Sequence, residues 1–275
     1  MVFLLKFLFA LFIVATAVVF YFGAQSPEFP ANDVPPISEI ISEEMPRNVI
    51  SPPPLRREIS SPSPASTLTR FGVIFQTNSQ RAENGLLPLS ENALLNSAAA
   101  AKLQDMFFGQ YFAHVAADGT DAAKFASEAG FEFLIIGENL ALGNFENDAA
   151  LVQVWMDSPG HRANILHPKY LGIGAAVGRG MFEGRQTWLA VQIFGVSAAV
   201  CSQPDAVLRQ TIENLEIELK MLENELNKRR GDSRNVNEYN ELVSQYNLIL
   251  ENLREQIRVY NSQVGVFNSC VGEFR

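Results

Sequence analysis

The sequence predicts an α+β domain that lies between an apolar N-terminal segment and a C-terminal pair of helices. Three observations lead to this prediction. Hydrophobic residues make up 47% of the 275-residue chain, which is enough for one packed core with accessory segments. Between residues 67 and 200, stretches with helix caps alternate with short apolar stretches that are typical of strands. After Pro204, apolar residues recur at alternating intervals of three and four positions, which indicates paired helices.

Charge and cysteine content exclude several classes of protein. The formal net charge is -9 and no long basic run occurs, so we expect no nucleic-acid partner, because phosphate binding needs clustered lysine and arginine. The two cysteines, Cys201 and Cys270, are too few for a disulfide scaffold and do not form a CxxC pair.

The N-terminal segment predicts a membrane anchor. Residues 2–22 are nearly all apolar, with Lys6 as their only charged residue, and a helix of roughly 20 such residues crosses a bilayer. The positive flank precedes the segment and Glu28 follows it, which places the rest of the chain outside the cytoplasm. We therefore interpret residues 1–25 as a transmembrane signal anchor of a single-pass cell-membrane protein. The alternative is a cleaved signal peptide and a secreted protein, although cleavage after Ala24 would place bulky Phe22 where a small residue is usual.

Residues 26–66 have the composition of a spacer. They contain ten of the 14 prolines, and proline disrupts both helices and central strands. The sequence therefore predicts a semi-extended, disordered linker. An alternative is that this stretch is a proline-rich ligand for a partner, although it has no repeated motif.

The globular region, residues 67–200, predicts helices around an antiparallel pair of strands. The predicted helices cover residues 68–84, a segment from Ser90 to Phe108, residues 121–130, and a segment that begins at Asn147 or Asp148 and carries Trp155. The predicted strands are Leu171–Val177 and Gln186–Phe194. Helices that surround strands imply an α/β/α-layered domain.

Residues 203–268 predict an antiparallel helical coiled-coil hairpin. The apolar repeat occupies two segments, and Arg229–Ser233 form a suitable tip loop between them. The repeat positions are Leu208, Ile212, Leu215, Leu219, Leu222 and Leu226, and then Val236, Tyr239, Val243, Tyr246, Leu250, Leu253, Ile257, Tyr260, Val264 and Phe267. The alternative is two helices that pack on the globular domain. A coiled coil would offer a contact for a protein partner or for self-association.

The hairpin in turn predicts a disulfide bond. If the tip lies near Asp232, the chain before Pro204 returns close to the chain after Phe267, so Cys201 and Cys270 both lie at the base. Such a pair can oxidise outside the cytoplasm. The alternative is two free thiols.

Several motifs follow one another in order along residues 67–196. They are Asn78–Leu89, Tyr111–His114, Asp118–Gly119, Gly137–Ala141, Trp155–Leu166, Gly172–Gly174, Trp188 and Gln192–Gly195. Together they resemble the SCP domain of the CAP superfamily, which includes cysteine-rich secretory proteins, antigen 5 and pathogenesis-related 1 proteins. The short segment between Trp155 and His161 is similar to the compact bacterial form.

The resemblance implies a cleft lined by histidine and glutamate. It assigns His114, Glu138 and His161 to that cleft, around a Gly-Glu-Asn turn, and it implies that they can hold a divalent metal such as Zn²⁺. The second glutamate of the family is replaced by Ser158, so we expect metal binding that is micromolar or poorer, at about -8 kcal/mol or less favourable. Considered singly, each histidine is better explained as a hydrogen-bonded structural residue that fixes a loop.

The preferred function is a module that binds an extracytoplasmic ligand, namely an envelope polymer, a peptide or a lipid, at the cleft of His114, Glu138, Ser158 and His161. The alternative is a hydrolase that uses the same cleft. It would be either metal-assisted or a serine enzyme in which Ser158 is the nucleophile, His161 the base and Glu138 the orienting acid.

Overall fold

The computed structural model describes residues 34–38, 48–57, 66–230 and 235–274. The predicted signal anchor, residues 1–25, lies outside the described residues, as do residues 231–234 of the predicted tip loop. Within the described part of the chain, no helix is both long and apolar enough to cross a membrane.

The described residues contain a six-stranded mixed sheet. Its central strand, β6, pairs antiparallel with β4 on one side and with β5 on the other, which confirms the predicted antiparallel pair. The short strand β3 lies parallel to β5 at one edge, and β1 and β2 lie parallel to β4 at the other. The strands are β1 (Asn48–Ile50), β2 (Leu55–Arg56), β3 (Ser90–Glu91), β4 (Phe133–Gly143), β5 (Gly172–Phe182) and β6 (Arg185–Ser197).

Helices cover both faces of this sheet, so the predicted α+β class is confirmed. The helices of the domain are α1 (Arg70–Glu83), α2 (Ala93–Gly109), α3 (Ala122–Glu128), α4 (Asp148–Asp157) and α5 (Pro159–Ile165). Apolar residues of α1, α4 and α5 share one core cluster with the sheet, and those of α2 and α3 share the other. Helix α2 is capped by Asn92 and begins later than the predicted start at Ser90, since Ser90 belongs to β3.

Strand β4 corrects the interpretation of the Gly-Glu-Asn motif. Gly137, Glu138 and Asn139 lie in the middle of β4 and not in a turn. All 11 residues of β4 are buried because helices cover both of its faces. A strand that is buried on both faces shows no alternating pattern in its sequence, which is why the prediction missed it.

The described parts of the proline-rich stretch are not an irregular spacer. Residues 48–50 and 55–56 are the strands β1 and β2, which continue the sheet beyond β4. Residues 34–38 lie against the C-terminal helices. The Asn261 side chain accepts a hydrogen bond from Ser38 N at 2.7 Å and donates one to Pro36 O at 2.9 Å. The prediction of a disordered linker is therefore wrong for these residues, because their pairing partners lie far away in the sequence.

The C-terminal region is a helical hairpin of α6 (Ala206–Arg229) and α7 (Val236–Gly272). The two helices are antiparallel. Arg229 contacts Glu238 at 2.8 Å near the tip, and Asp205 N donates to Gln263 at 2.8 Å near the base. The apolar seam contains the predicted repeat positions from Leu208 to Val264 except Val236, which is 53% exposed. Phe267 lies outside the seam and packs in the core of the domain. Helix α7 ends at Gly272, beyond the predicted end at residue 268, and its last turns connect the hairpin to the domain.

The predicted disulfide is confirmed. Cys201 is bonded to Cys270, and their Cα atoms are 5.7 Å apart. Cys201 is buried in the same core cluster as Phe267 and Val271. The bond therefore fixes the end of α7 to the segment that follows β6.

Candidate functional site

Glu138 and His114 form the centre of the candidate site. Glu138 is held in mid-strand because β4 pairs with β6 along its whole length. His114 lies in the loop between α2 and α3, and its Nδ1 atom is 2.5 Å from Glu138 Oε2. Two hydrogen bonds from Lys102 Nζ, to Tyr111 Oη at 3.1 Å and to the His114 carbonyl at 2.9 Å, fix that loop.

The hydrogen bonds of His114 determine the charge of the pair. Its Nε2 atom contacts the carbonyl oxygen of Pro52, and a carbonyl oxygen only accepts, so Nε2 carries a proton. The contact between Nδ1 and Glu138 Oε2 requires one further proton. Wherever that proton resides, the pair of side chains is neutral as a whole.

Burial favours uncharged groups around this pair. Glu138 is fully buried, and burial raises the pKa of its carboxyl, an effect opposed by the hydrogen bond and charge of His114 and by the charge of Lys102. Lys102 is also fully buried, and burial lowers its pKa, while the charge of Glu138 opposes that shift. Sequence reasoning missed Lys102, because a single lysine in an alanine-rich helix carries no sign that it faces inward.

A buried amide network holds α5 against β4. Asn164 Nδ2 donates to Glu138 O at 3.1 Å and to Asn139 Oδ1 at 3.0 Å. Asn139 Nδ2 donates to Gln192 Oε1 at 3.2 Å, and Gln192 Nε2 donates to Thr77 Oγ1 at 2.6 Å. The motifs contain Asn139 and Asn164, but the sequence did not show that they fix the strand and helix that carry Glu138 and His161.

His161 and Ser158 form a second pair beside the first. Ser158 is the N-cap residue of α5, yet its hydroxyl makes no capping bond and lies instead 2.8 Å from His161 Nδ1. His161 is 2% exposed. Burial, and secondarily the charge of the nearby His114, lower the pKa of His161 to about 4. The imidazole of His161 is therefore neutral at pH 7.

The predicted Ser-His-Glu triad does not assemble. Glu138 contacts His114 rather than His161, so it cannot orient the imidazole that contacts Ser158. Among the described residues, neither Glu138 Oε1 nor His161 Nε2 has a hydrogen-bond partner, although both atoms are buried. The site therefore contains two buried polar atoms whose hydrogen-bonding capacity is unused within the described chain.

The arrangement does not fit a divalent metal. Both ring nitrogens of His114 already make hydrogen bonds, one to Glu138 and one to Pro52, so this residue offers no free lone pair. The described segments contain no group of three or more His, Cys, Asp or Glu side chains that could hold a metal ion. The metal set inferred from the resemblance, His114, Glu138 and His161, is therefore not formed in this structure.

The lowered pKa of His161 predicts acid destabilisation. The pKa of His161 is about 4 in the folded state and about 6.5 in an unfolded chain. Between these two pH values His161 therefore binds more protons in the unfolded chain than in the folded chain. We expect the stability of the wild type relative to the His161→Gln variant to fall from pH 6.5 to pH 4, by up to about 1.4 kcal/mol per pH unit. The raised pKa of Glu138 acts in the opposite direction but is present in both proteins. Urea titrations of both proteins at several pH values measure the difference, and a difference independent of pH would contradict the assignment.

Three comparisons relate the chain to known proteins. Residues 74–205 match the model of the cysteine-rich secretory protein family, CAP. The chain is 34% identical over 129 residues to the uncharacterized protein YkwD of Bacillus subtilis (strain 168), which covers 47% of this chain and 48% of YkwD. It is 31% identical over 113 residues to the uncharacterized membrane protein YlbC of the same organism, which covers 41% of this chain and 32% of YlbC. The matches thus span about half or less of these relatives.

Several solved structures are similar to slightly less than half of the chain. One of them is an extracellular protein that contains an SCP domain, from Bacillus anthracis str. Ames, with a TM-score of 0.40 and 24% identity over 46% of this chain and 39% of that one. The range of the family model includes His114, Glu138, Ser158 and His161, whereas Pro52 lies outside it.

Proposed function

Residues 74–205 form a domain of the CAP family, and from this premise we propose that the chain is an extracytoplasmic binding module rather than a hydrolase. One observation carries the proposal. The site has two buried polar atoms without partners in the described chain, Glu138 Oε1 and His161 Nε2, and no acidic side chain of the described residues is hydrogen-bonded to the His161 that contacts Ser158. A buried polar atom without a partner costs about 1–3 kcal/mol, so a ligand that pairs with both atoms gains that free energy on binding. Candidate ligands are an envelope polymer, a peptide or a lipid.

The rest of the proposal concerns location and partners. We infer that residues 1–25 anchor the chain in the cell membrane and that the hairpin is a coiled coil that contacts a protein partner or a second copy. The apolar run at residues 2–22 supports the anchor, as does the description of YlbC as a membrane protein. The disulfide supports an oxidising compartment, because such bonds persist mainly outside the cytoplasm. The repeat of apolar residues along the seam of α6 and α7 supports the coiled coil.

Retention and turnover can be measured together. The full chain would be incubated with insoluble cell-wall polymer, denatured casein and anionic phospholipid vesicles, and casein cleavage would be followed in parallel. We expect retention on one of these materials without cleavage. A Glu138→Gln, His161→Leu double variant should lose that retention at least tenfold, because both atoms without partners are changed. His167→Gln is the matched control, since this third histidine takes part neither in the contact between His114 and Glu138 nor in the contact between His161 and Ser158.

Two results would overturn the proposal. Cleavage of casein by the wild type that is lost in Ser158→Ala would favour the hydrolase. Retention that is unchanged in the double variant would show that the ligand is bound elsewhere.

A further inference from the structure

The proline-rich segment, residues 48–57, runs along the outer edge of β4. Residues 48–50 pair with residues 135–137, and residues 55–56 pair with residues 141–142, both in parallel. Arg57 N extends the pairing by donating to Leu142 O at 2.9 Å. The segment therefore adds a strand to the sheet on both sides of Glu138. It also lies outside the range of the family match.

Between the two paired parts, the segment bulges over the candidate site. The bulge comprises Ser51–Pro54, and Pro52 is its buried residue. The carbonyl of Pro52 accepts a hydrogen bond from His114 Nε2, and the carbonyl of Ile50 accepts one from Asn164 Nδ2 at 3.1 Å. The Pro52 ring lies so close to Gly160, the residue before His161, that a Cβ atom on Gly160 would be 2.6 Å from Pro52 Cβ.

Proline suits this bulge for a physical reason. Residues 52–54 are all proline, so none of them carries a backbone N–H. The segment does not pair with β4 opposite residues 138–140. Residues other than proline would place backbone N–H groups without partners there, near the buried carboxyl of Glu138. The side chains of Ile50 and Leu55 flank the prolines and pack against the core of the domain. Arg56 forms a two-point ion pair with Glu183 at 2.9 and 3.1 Å, but both side chains are about half exposed, so the pair contributes little.

These contacts have the form of peptide recognition. The edge of β4, His114 and Asn164 all bind main-chain atoms of the segment, and the burial of Pro52 and the packing of Ile50 and Leu55 against the core add side-chain selectivity. Binding of an extended peptide by strand addition combines the same two components. None of these contacts requires that the bound segment belong to the same chain. A separate peptide of suitable sequence would make the same contacts.

We propose that the His114–Glu138 site recognises an extended, proline-containing peptide, and that residues 48–57 are its tethered occupant. This inference deepens the proposed function, on which it rests, by naming the ligand class of that site. The tether gives the segment an effective concentration on the order of millimolar. A peptide in trans therefore competes with the segment for the site, so the segment lowers the apparent affinity of the full chain for such a peptide without preventing binding.

The first test removes the segment from the site without changing the segment. In the full chain, purified in mild detergent, Gly160→Ala places a Cβ atom against Pro52, whereas Gly265→Ala adds a Cβ atom that meets no atom within 4 Å. Both glycines are helical, so alanine favours the helix in each case. Hydrogen exchange of residues 48–57 should be at least tenfold faster in Gly160→Ala and unchanged in Gly265→Ala, with β6 equally protected in all three proteins. Unchanged protection of the segment in Gly160→Ala, or a segment already unprotected in the wild type, would overturn the proposal.

The second test asks whether a free peptide takes the vacated position. An Ile50→Asp, Leu55→Asp variant weakens the segment at its two apolar contacts, and Ser51→Asp is the control at an exposed position of the same segment. A fluorescent peptide with the sequence of residues 48–57 should bind the double variant at least tenfold more tightly than the wild type or the control. It should also bind at least tenfold more tightly than a scrambled peptide, and adding His114→Ala should abolish the difference.

Equal binding of the native and scrambled peptides to the double variant would overturn the proposal. The peptide that enters the site can come from a second copy of this chain or from a different protein. Light scattering of the double variant across a concentration series separates these two sources, since exchange of the segment between copies would produce dimers. Protection of the segment in the wild type is measured without any ligand. A failure of this inference can therefore be distinguished from a failure of the proposed function, which depends on retention through Glu138 and His161.

Discussion

Replacing both Cys201 and Cys270 by alanine is expected to lower the free energy of unfolding by about 4 kcal/mol. The bond joins residues separated by 69 positions, and opening a loop of that length restores a large amount of conformational freedom to the unfolded chain. Alanine is the appropriate replacement because Cys201 is buried, where a serine hydroxyl would need a partner. Urea unfolding without reductant measures the change.

The single variants and chemical reduction serve as controls for this result. Cys201→Ala and Cys270→Ala should each lose about as much stability as the double variant, because either change breaks the same bond. The wild type in reductant should unfold at the same urea concentration as the double variant. Ser269→Ala, at an exposed neighbouring position, should change nothing measurable. A loss below about 1 kcal/mol in the double variant would show that the packing of the α7 terminus alone determines its position.

Alanine at Gly174 is expected to destabilise the domain by about 3 kcal/mol or more, whereas alanine at Gly172 should cost less than about 1 kcal/mol. A Cβ atom on Gly174 would overlap the backbone of Leu95 and Asn96 at the start of α2. These are main-chain atoms that cannot rotate away, and Asn96 Oδ1 also accepts a hydrogen bond from Ala175 N at 3.0 Å. A Cβ atom on Gly172 would meet its nearest neighbour at 3.5 Å, which is an ordinary contact.

The two glycines form a matched pair, since both lie on β5 and differ mainly in the proximity of α2. Thermal and denaturant unfolding of the two variants beside the wild type measures the contrast. Equal destabilisation of both variants would show that loss of glycine from β5, rather than contact with α2, limits stability. A Gly174→Ala protein that is as stable as the wild type would show that α2 can shift away from the sheet.

The features that could be predicted from the sequence are those with local or repeating signals. The seam positions from Leu208 to Val264 recur with helical spacing, so the hairpin, and with it the bond between Cys201 and Cys270, follows from one pattern. Gly130 has a positive φ of 86°, as expected for a glycine that ends a helix. The proximity of His114 and Glu138 followed from the family resemblance, and the structure places their side chains in direct contact.

The features that could not be predicted depend on non-local contacts. Strand β4 is buried on both faces, so its apolar residues do not alternate, and its Gly137-Glu138-Asn139 sequence is also typical of a turn. Residues 48–50 and 55–56 are strands only because the edge of β4 is available to them, and the prolines between them argue locally against a strand. Glu138 was the acidic partner of His161 only in the hydrolase alternative, and the contact of Glu138 with His114 leaves His161 paired with Ser158 alone.

The closed base of the hairpin has a mechanical consequence. Helix α6 has 24 residues and is therefore about 36 Å long, so a partner that holds the tip acts on the domain through a long arm. Tension on that arm divides between two covalent paths at its base, one through the peptide chain at Cys201 and one through Cys270. The helices cannot be peeled apart from that end while the bond is intact. Both paths meet directly after β6, so the load enters the sheet at its central strand, which is hydrogen-bonded on both sides, and not at an edge strand that could be stripped away.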